Sequence, residues 1–246
     1  MPMLEIAVQD PEGIAVARDH GADRIELCTA LALGGLTPSR ALIDAAVASG
    51  LPTHVLVRPR AGDFTYSSVE RAVLLADVRV ALEAGAHGVV IGALREGGVD
   101  TDLVAGIRAE AADVDVTFHR AFDVVADRGA TLQLLAELGV DRILTSGGAD
   151  RAPDACEELA RLVALADGRI QVMAGSGIDA STVWPILATG VDAVHASAKR
   201  LVSEPLAVRL GGLATAGAFS REVTDPGQVA ALRAAVDSDT HAGPGR

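Results

Sequence analysis

A chain of 246 residues, half of them apolar, has material for a sizeable core and the length of one large domain or two small ones. Its net charge of −12 is spread along the chain without basic clusters, which excludes nucleic acid or an anionic membrane surface as the main partner. Two cysteines, Cys28 and Cys156, are too few for a disulfide framework, and no uncharged apolar run reaches the roughly 20 residues that cross a bilayer. With no basic segment followed by an apolar run near Met1, the reading is a cytoplasmic protein.

In chain order, the first β-rich run is Leu4 to Val8. A helical pattern from Ala15 to His20 follows and leads into Gly21-Ala22-Asp23-Arg24-Ile25-Glu26-Leu27. Thr53 to Arg58 reads as a strand, and Val69 to Ala84 as a helix. The glycine motif then returns as Gly85-Ala86-His87-Gly88-Val89-Val90-Ile91. It recurs as Gly139-Val140-Asp141-Arg142-Ile143-Leu144 after a helix over Thr131 to Leu138, and as Gly190-Val191-Asp192-Ala193-Val194-His195 after one over Thr182 to Thr189. Each glycine stands where a helix needs a residue that tolerates positive φ. The glycines are too far apart for one βα unit and fit two, and Asp115 to His119 and Arg169 to Ala174 supply intervening strands.

Eight strands alternating with helices predict a single-domain α/β fold, a (β/α)8 TIM barrel over residues 1–236; a doubly wound open sheet is the alternative. The last helix is placed near Gln228 to Val236, and the polar stretch Asp237 to Arg246 reads as a disordered tail. Leu201 to Thr224 forms a long connection after the eighth strand, of a length that points to function or assembly.

Strand parity sorts the barrel interior from the helix-facing layer. Leu4, Ile6 and Val8 face outward, leaving Glu5 and Ala7 inside; Glu26 and Cys28 are inside, as are Leu56 with Arg58. Asp115, Thr117 and His119 share one side of their strand; Gln171, Met173 and Gly175 point inward, as do Ala193, His195 and Ser197. Glu5, Glu26, Arg58, His119 and His195 therefore converge from five strands, most of them near the C-terminal strand ends where such barrels carry their sites. Glu5 reads either as a site residue or as a buried partner of Arg58, and Arg58 either as a ligand clamp or as a salt-bridge partner of Glu5 or Glu26.

The segment Thr117-Phe118-His119-Arg120-Ala121-Phe122-Asp123 stands out in a chain with four Phe, one Tyr and one Trp, because it sets two rings around a His-Arg pair. Asp123 is placed to fix the tautomer of His119 and raise its basicity. Gly175-Ser176-Gly177, with Lys199-Arg200 nearby, reads as an anion-binding turn. Arg120, Ser146 and Ser197 complete the candidate ligand-binding set.

The blocks Gly21 to Cys28, Gly34-Gly35-Leu36-Thr37-Pro38, Arg58-Pro59-Arg60, Gly62-Asp63-Phe64, Thr117 to Asp123, Leu144-Thr145-Ser146-Gly147 and His195-x-Ser197 resemble the CutC copper homeostasis family over most of the chain. The resemblance implies a barrel, a cytoplasmic location, homo-oligomers (dimer or tetramer) and copper handling, with Cu(I) as the bound ion. Cys28 is then the inward thiol, with Met173, His119 and His195 as companions; Ala7 stands where many members carry cysteine, and Ala61 where the family usually has glycine. The polar constellation supports an alternative, an isomerase, lyase or aldolase acting on a small anionic metabolite. There His119 is the general base set by Asp123, Glu26 or His195 is the acid, and Arg58 with Gly175 to Gly177 holds the anion. No lysine sits at an interior strand end, which weakens a Schiff-base aldolase.

Overall fold

The computed structural model describes residues 2–205 and 218–239. In chain order the elements are β1 (Met3–Val8), α1 (Pro11–Asp19), β2 (Arg24–Leu27), α2 (Arg40–Ala48), β3 (Thr53–Leu56), α3 (Ser68–Glu83), β4 (Gly88–Ile91) and a two-stranded flap, β5 (Leu94–Arg95) with β6 (Gly98–Val99). Then come α4 (Thr101–Glu110), β7 (Asp115–Phe118), α5 (Arg128–Glu137), β8 (Arg142–Thr145), α6 (Cys156–Ala166), β9 (Gln171–Gly175), α7 (Val183–Leu187) and β10 (Ala193–Ala196). An antiparallel ribbon, β11 (Lys199–Pro205) with β12 (Ala218–Thr224), precedes the last helix, α8 (Pro226–Asp239).

Eight strands close into a parallel barrel in the order β1-β10-β9-β8-β7-β4-β3-β2, with β1 pairing β2. The barrel reading holds and the open-sheet alternative falls. The long connection contains the β11–β12 ribbon, which alternation of strand and helix did not anticipate; residues 206–217 lie outside the described residues. The stretch assigned to a tail begins inside α8, which runs to Asp239, and residues 240–246 also lie outside the described residues. Among the described residues no helix is long and apolar enough to cross a membrane.

Local chemistry sets the element ends. Asp10 caps α1 by accepting from the Gly13 amide at 2.7 Å, with Pro11 opening the helix. Ser67 and Glu70 form a capping box on α3. The four motif glycines follow helices and have φ of 89°, 84°, 76° and 84° at Gly21, Gly85, Gly139 and Gly190, where a side chain is strained.

The motif also pins strand register. Two residues after each glycine, a side chain accepts a hydrogen bond from an amide at the start of the preceding barrel strand. Asp23 takes Leu4 N at 2.7 Å, Asp141 takes Val116 N at 2.8 Å and Asp192 takes Val172 N at 2.8 Å. His87 Nδ1 does the same for Thr53 N at 3.3 Å. Register matters because a one-residue slip would exchange the two faces of a strand. With it held, Leu4, Ile6, Ile25, Leu27, Val116 and Phe118 are buried in the layer beneath the helices, as parity predicts.

The lower interior is polar but paired. Arg24 Nε donates to Glu5 at 2.5 Å, and its other nitrogens meet the thioethers of Met3 and Met173. Arg142 is held by Asp115 and Thr117, each at 3.1 Å, and by Gln171. Replacing Asp192 with Ala leaves the Val172 amide without its carboxylate; urea denaturation is expected to register a loss of about 1–2 kcal/mol, most of it recovered in Asp192→Asn.

Candidate active site

A cavity of about 520 Å³ opens at the C-terminal ends of the strands, and Glu26, Arg58, His119, Arg120, His195 and Ser197 line it. Gly177 is also in its wall. Glu5, Cys28, Asp123, Ser146 and Gly175 are absent from the lining, and each has a structural task instead.

Glu5 is fully buried below the cavity, and its partner is Arg24 rather than Arg58. Its second oxygen meets His195 Nδ1 at 2.7 Å. A carboxylate there makes Nδ1 the protonated nitrogen and leaves Nε2 as the one available to the cavity. Burial works against ionising Glu5, but Arg24 and His195 outweigh it and hold the carboxyl well below its ordinary range.

Glu26 stands beside this pair, and one ligating atom from each of Glu5, Glu26 and His195 lies within 4.8 Å of the others. Burial pushes the Glu26 carboxyl up to about 7, and the Glu5 charge adds to the rise. For His195 burial opposes the charged form, yet the Glu26 and Glu5 carboxylates prevail and raise its pKa. The cavity thus holds a carboxyl whose pKa is raised to about 7 beside an imidazole whose protonated form the two carboxylates favour, a coupled proton-exchanging pair.

His119 differs from its expected role. Its Nδ1 accepts from the Ala121 amide at 3.0 Å, so the neutral ring carries its proton on Nε2. Burial, then the neighbouring Arg58, pushes its pKa down to about 3. A ring so arranged donates and cannot serve as the general base. It lies over Gly92, where a Cβ would come within 2.1 Å of the ring, and against Phe64 at a centroid distance of 4.8 Å.

Asp123 does not hydrogen-bond His119. The 3-10 turn Arg120–Val124 swings its carboxylate toward the end of β8. There it accepts from Thr145 Oγ1 at 2.5 Å, from the Ser146 and Gly148 amides, and from Arg120 at 2.8 Å. Ser146 belongs to that brace; it is fully buried and donates to Ala149 O at 2.5 Å. Gly175 lets Leu144 approach, since a Cβ there would lie 2.6 Å from it.

Arg58 pairs with neither Glu5 nor Glu26, so the salt-bridge reading falls. Its nitrogens donate to Leu33 O at 3.0 Å, Gly35 O at 3.1 Å and Gly62 O at 2.9 Å, tying together two mouth loops. Arg24, the partner of Glu5, was legible by the same parity that placed Glu26, since the two are two residues apart on β2. The other unforeseen cavity groups include Arg151, which crosses to Gly177 O at 3.2 Å. Lys199, the chain's one lysine, also lines the cavity, and its amine donates to Glu222 at 2.7 Å.

The donors do not fit Cu(I). The ion prefers thiolate and thioether ligands. Cys28 is fully buried in an apolar cluster with Leu56 and Val90, its thiol directed at Val8 O at 3.6 Å, and burial pushes its pKa up, so it is held as the thiol. Met173 is engaged by Arg24. Cys156 begins α6, outside the barrel.

The linkage signs follow from these shifts. The stability His195 contributes is complete below its ordinary value of 6.5 and is lost as pH rises through its raised folded value. Glu26, ordinarily at 4.5 and raised to about 7, makes the fold less stable as pH climbs across that interval. Glu5, with a lowered pKa, contributes above its ordinary 4.5 and loses that contribution in acid. His119 and His54, whose pKa values burial lowers to about 3, add stability as pH rises toward their ordinary 6.5 and so oppose this trend. The Glu26 contribution is therefore read as a difference: between pH 5 and 7 the unfolding free energy of wild type, from urea titrations, is expected to lose about 1–3 kcal/mol relative to that of Glu26→Gln.

Residues 2–200 match the CutC family. CutC family proteins of Sinorhizobium medicae and Agrobacterium fabrum are 44% and 42% identical, with alignments that cover 96% and 95% of this chain and 96% and 94% of theirs. Among solved structures, Streptococcus agalactiae CutC, provisionally assigned to copper homeostasis, is 28% identical with a TM-score of 0.76, covering 80% of this chain and 99% of its own. A thiamine phosphate pyrophosphorylase from Pyrococcus furiosus, 17% identical with a TM-score of 0.58 and 96% coverage of both chains, shares the fold alone.

Proposed function

The chain belongs to the CutC family, and from that premise we propose that it is an enzyme that moves a proton on a small anionic carbonyl compound, an isomerase or lyase. The observation that carries this reading is the Glu5–His195 pair beside Glu26, an imidazole and a carboxyl within 4.8 Å of each other, both with raised pKa values, in the wall of one cavity. Proton transfer by such groups is efficient when their pKa values lie near the working pH.

In this reaction His195 Nε2 takes a proton from the carbon next to a carbonyl. The C–H electron pair enters a new carbon–carbon double bond, and the carbonyl oxygen takes the negative charge. Where the carbon that lost its proton bears a hydroxyl, Glu26 in its acid form returns a proton to the former carbonyl carbon, the hydroxyl proton passes to the oxyanion and the carbonyl re-forms one carbon along; the proton held on His195 then returns to Glu26. Glu5 stays ionised, holds the His195 ring in its tautomer and stabilises the imidazolium that forms. The Glu5 role reproduces the logic of a carboxylate behind a catalytic histidine. Arg120, Arg151 and the Gly177 turn give the cavity wall positive and donor character suited to an anion. The proposal retains the cytoplasmic setting, in keeping with two free cysteines.

Native mass spectrometry of protein purified without added ligand identifies the bound anion, and NMR in heavy water then follows exchange of its C–H protons. His195→Gln and Glu26→Gln are each expected to slow exchange by about 10²–10⁴-fold while the anion still binds. Exchange that is absent in wild type, or unaffected by both substitutions, overturns the assignment.

Copper handling, associated with the family through its S. agalactiae member, is a reading the thiol geometry does not favour. The converging groups Glu5, Glu26 and His195 are oxygens and one imidazole, a donor set for a harder divalent ion. Cu(I) titration against a chromophoric competitor is expected to return the same stoichiometry and affinity for wild type and Cys28→Ala; a stoichiometric loss in the mutant would restore Cys28 as a ligand.

A further inference from the structure

Among the described residues three arginines are buried in the barrel interior, and two have a carboxylate: Arg24 has Glu5 and Arg142 has Asp115. The third, Arg58, is only 7% exposed and has no carboxylate partner among the described residues. Three backbone carbonyls and the face of Phe64, at 5.3 Å, surround its charge, and they leave one donor, Nε, without an acceptor. His119 next to it, 6% exposed, likewise has an unpartnered donor, Nε2. A buried donor left without an acceptor bears its full desolvation cost with nothing in return. Two of them in adjoining side chains, both in the wall of one cavity, mark a place shaped for an acceptor that arrives with the ligand.

The charges sort in the same way. The side of the cavity formed by Glu26 and His195 exchanges protons. Arg58 and His119 can only donate, because the guanidinium does not deprotonate and the Ala121 amide occupies the acceptor nitrogen of His119. Donors that are already oriented and already shielded from water are what a developing negative charge needs. A neutral imidazole is suited to polarise a carbonyl without transferring its proton.

We propose that Arg58 Nε and His119 Nε2 form a two-donor oxyanion subsite that receives the substrate's carbonyl oxygen as it becomes an enolate, and that the Phe64 ring covers this subsite until substrate displaces it. The identity of the oxygen rests on the proton-transfer reading above; the subsite itself rests on the unpartnered donors. Phe64 is the natural cover. Its ring packs on both side chains, and neither donor nitrogen is open to solvent while it does so. The ring belongs to a short loop that Arg58 grips through Gly62 O, so the cation that binds the oxygen also anchors the loop that carries the cover. The substrate class is therefore a small 2-oxo or hydroxy-carbonyl compound with a proton next to the carbonyl.

Oxalate, a planar dianion with the shape of an enolate, is the probe, with EDTA present to keep metal ions out and neutral oxamide as the control. In protein carrying ¹⁵N-labelled histidine, the His119 resonances are expected to report one neutral tautomer, protonated at Nε2, from about pH 5 to 9. Oxalate should shift the Nε2 proton saturably, and oxamide should not. Arg58→Met and His119→Gln should each weaken oxalate by about tenfold or more, and Phe64→Ala should leave it as tight or tighter. Because Arg58 ties two loops, the wild-type histidine spectrum decides the matter even if Arg58→Met fails to fold. Oxalate that leaves the His119 signal unmoved, or binds no better than oxamide, overturns the subsite. If the shift occurs but no C–H exchange is found, the subsite stands and the acid–base reading falls; if exchange depends on His195 and Glu26 but oxalate ignores Arg58 and His119, the reverse holds.

Discussion

A carboxylate with no solvent contact organises the interior of this barrel. Glu5 cannot be ionised there alone, because an isolated buried charge costs far more than a domain's margin of stability. Arg24 answers it from the neighbouring strand and His195 from the strand on the other side. These three residues come from β1, β2 and β10, so the pairing closes the barrel seam and orients the imidazole at the cavity floor in one stroke. Burial raises the neighbouring Glu26 carboxyl to about 7, with the Glu5 charge adding to the rise and His195 and Arg24 opposing it.

Precise seating of that carboxylate depends on register, and register here is specified repeatedly by a short motif. A glycine stops the helix, and a side chain two residues on captures an amide at the start of the previous barrel strand. His87 replaces aspartate in the second copy and does so with an imidazole nitrogen, which shows that the requirement is an acceptor at that point rather than a charge. Every polar residue in the interior inherits its position from these anchors, since a slip by one residue would turn Glu5 and Glu26 toward the helices and bring Ile6 and Leu27 inside.

This explains what could be read from the chain without coordinates. Strand number, the barrel, and the inward set of Glu5, Glu26, His119 and His195 come from period-two patterning and from the repeated glycines, which are local signals. Arg24 obeyed the same parity, and the identity of the partner of Glu5 was legible to that extent. Contacts set by loop geometry were not. Arg58 is satisfied by carbonyls at Leu33, Gly35 and Gly62, and nothing in those residue types announces an acceptor, since every residue has a carbonyl. Asp123 is close to His119 in sequence, yet the intervening 3-10 turn carries its carboxylate to Thr145 and Ser146. Proximity along the chain stood in for contact and assigned the wrong partner. The β11–β12 ribbon escaped for a different reason: it lies outside the strand–helix alternation that reveals the barrel.

The conspicuous run from Thr117 to Asp123 then divides by function. Phe118 and Phe122 are fully buried and packed in the core beneath the helices, Asp123 and Arg120 brace the end of β8, and His119 alone presents a reactive nitrogen. That nitrogen is a donor because the backbone amide of Ala121 has already taken the other one. A base at this position would need Nδ1 to hold the proton and Nε2 to be bare, which would set two N–H groups against each other across 3.0 Å. The geometry of one turn therefore assigns proton transfer to the opposite side of the cavity, where Glu5 has prepared His195 with the complementary tautomer. A barrel in which one histidine can only donate, while another beside two carboxylates can gain or lose a proton, is built to divide a reaction between them, and this argues for chemistry on a bound organic anion more strongly than for storage of a soft metal.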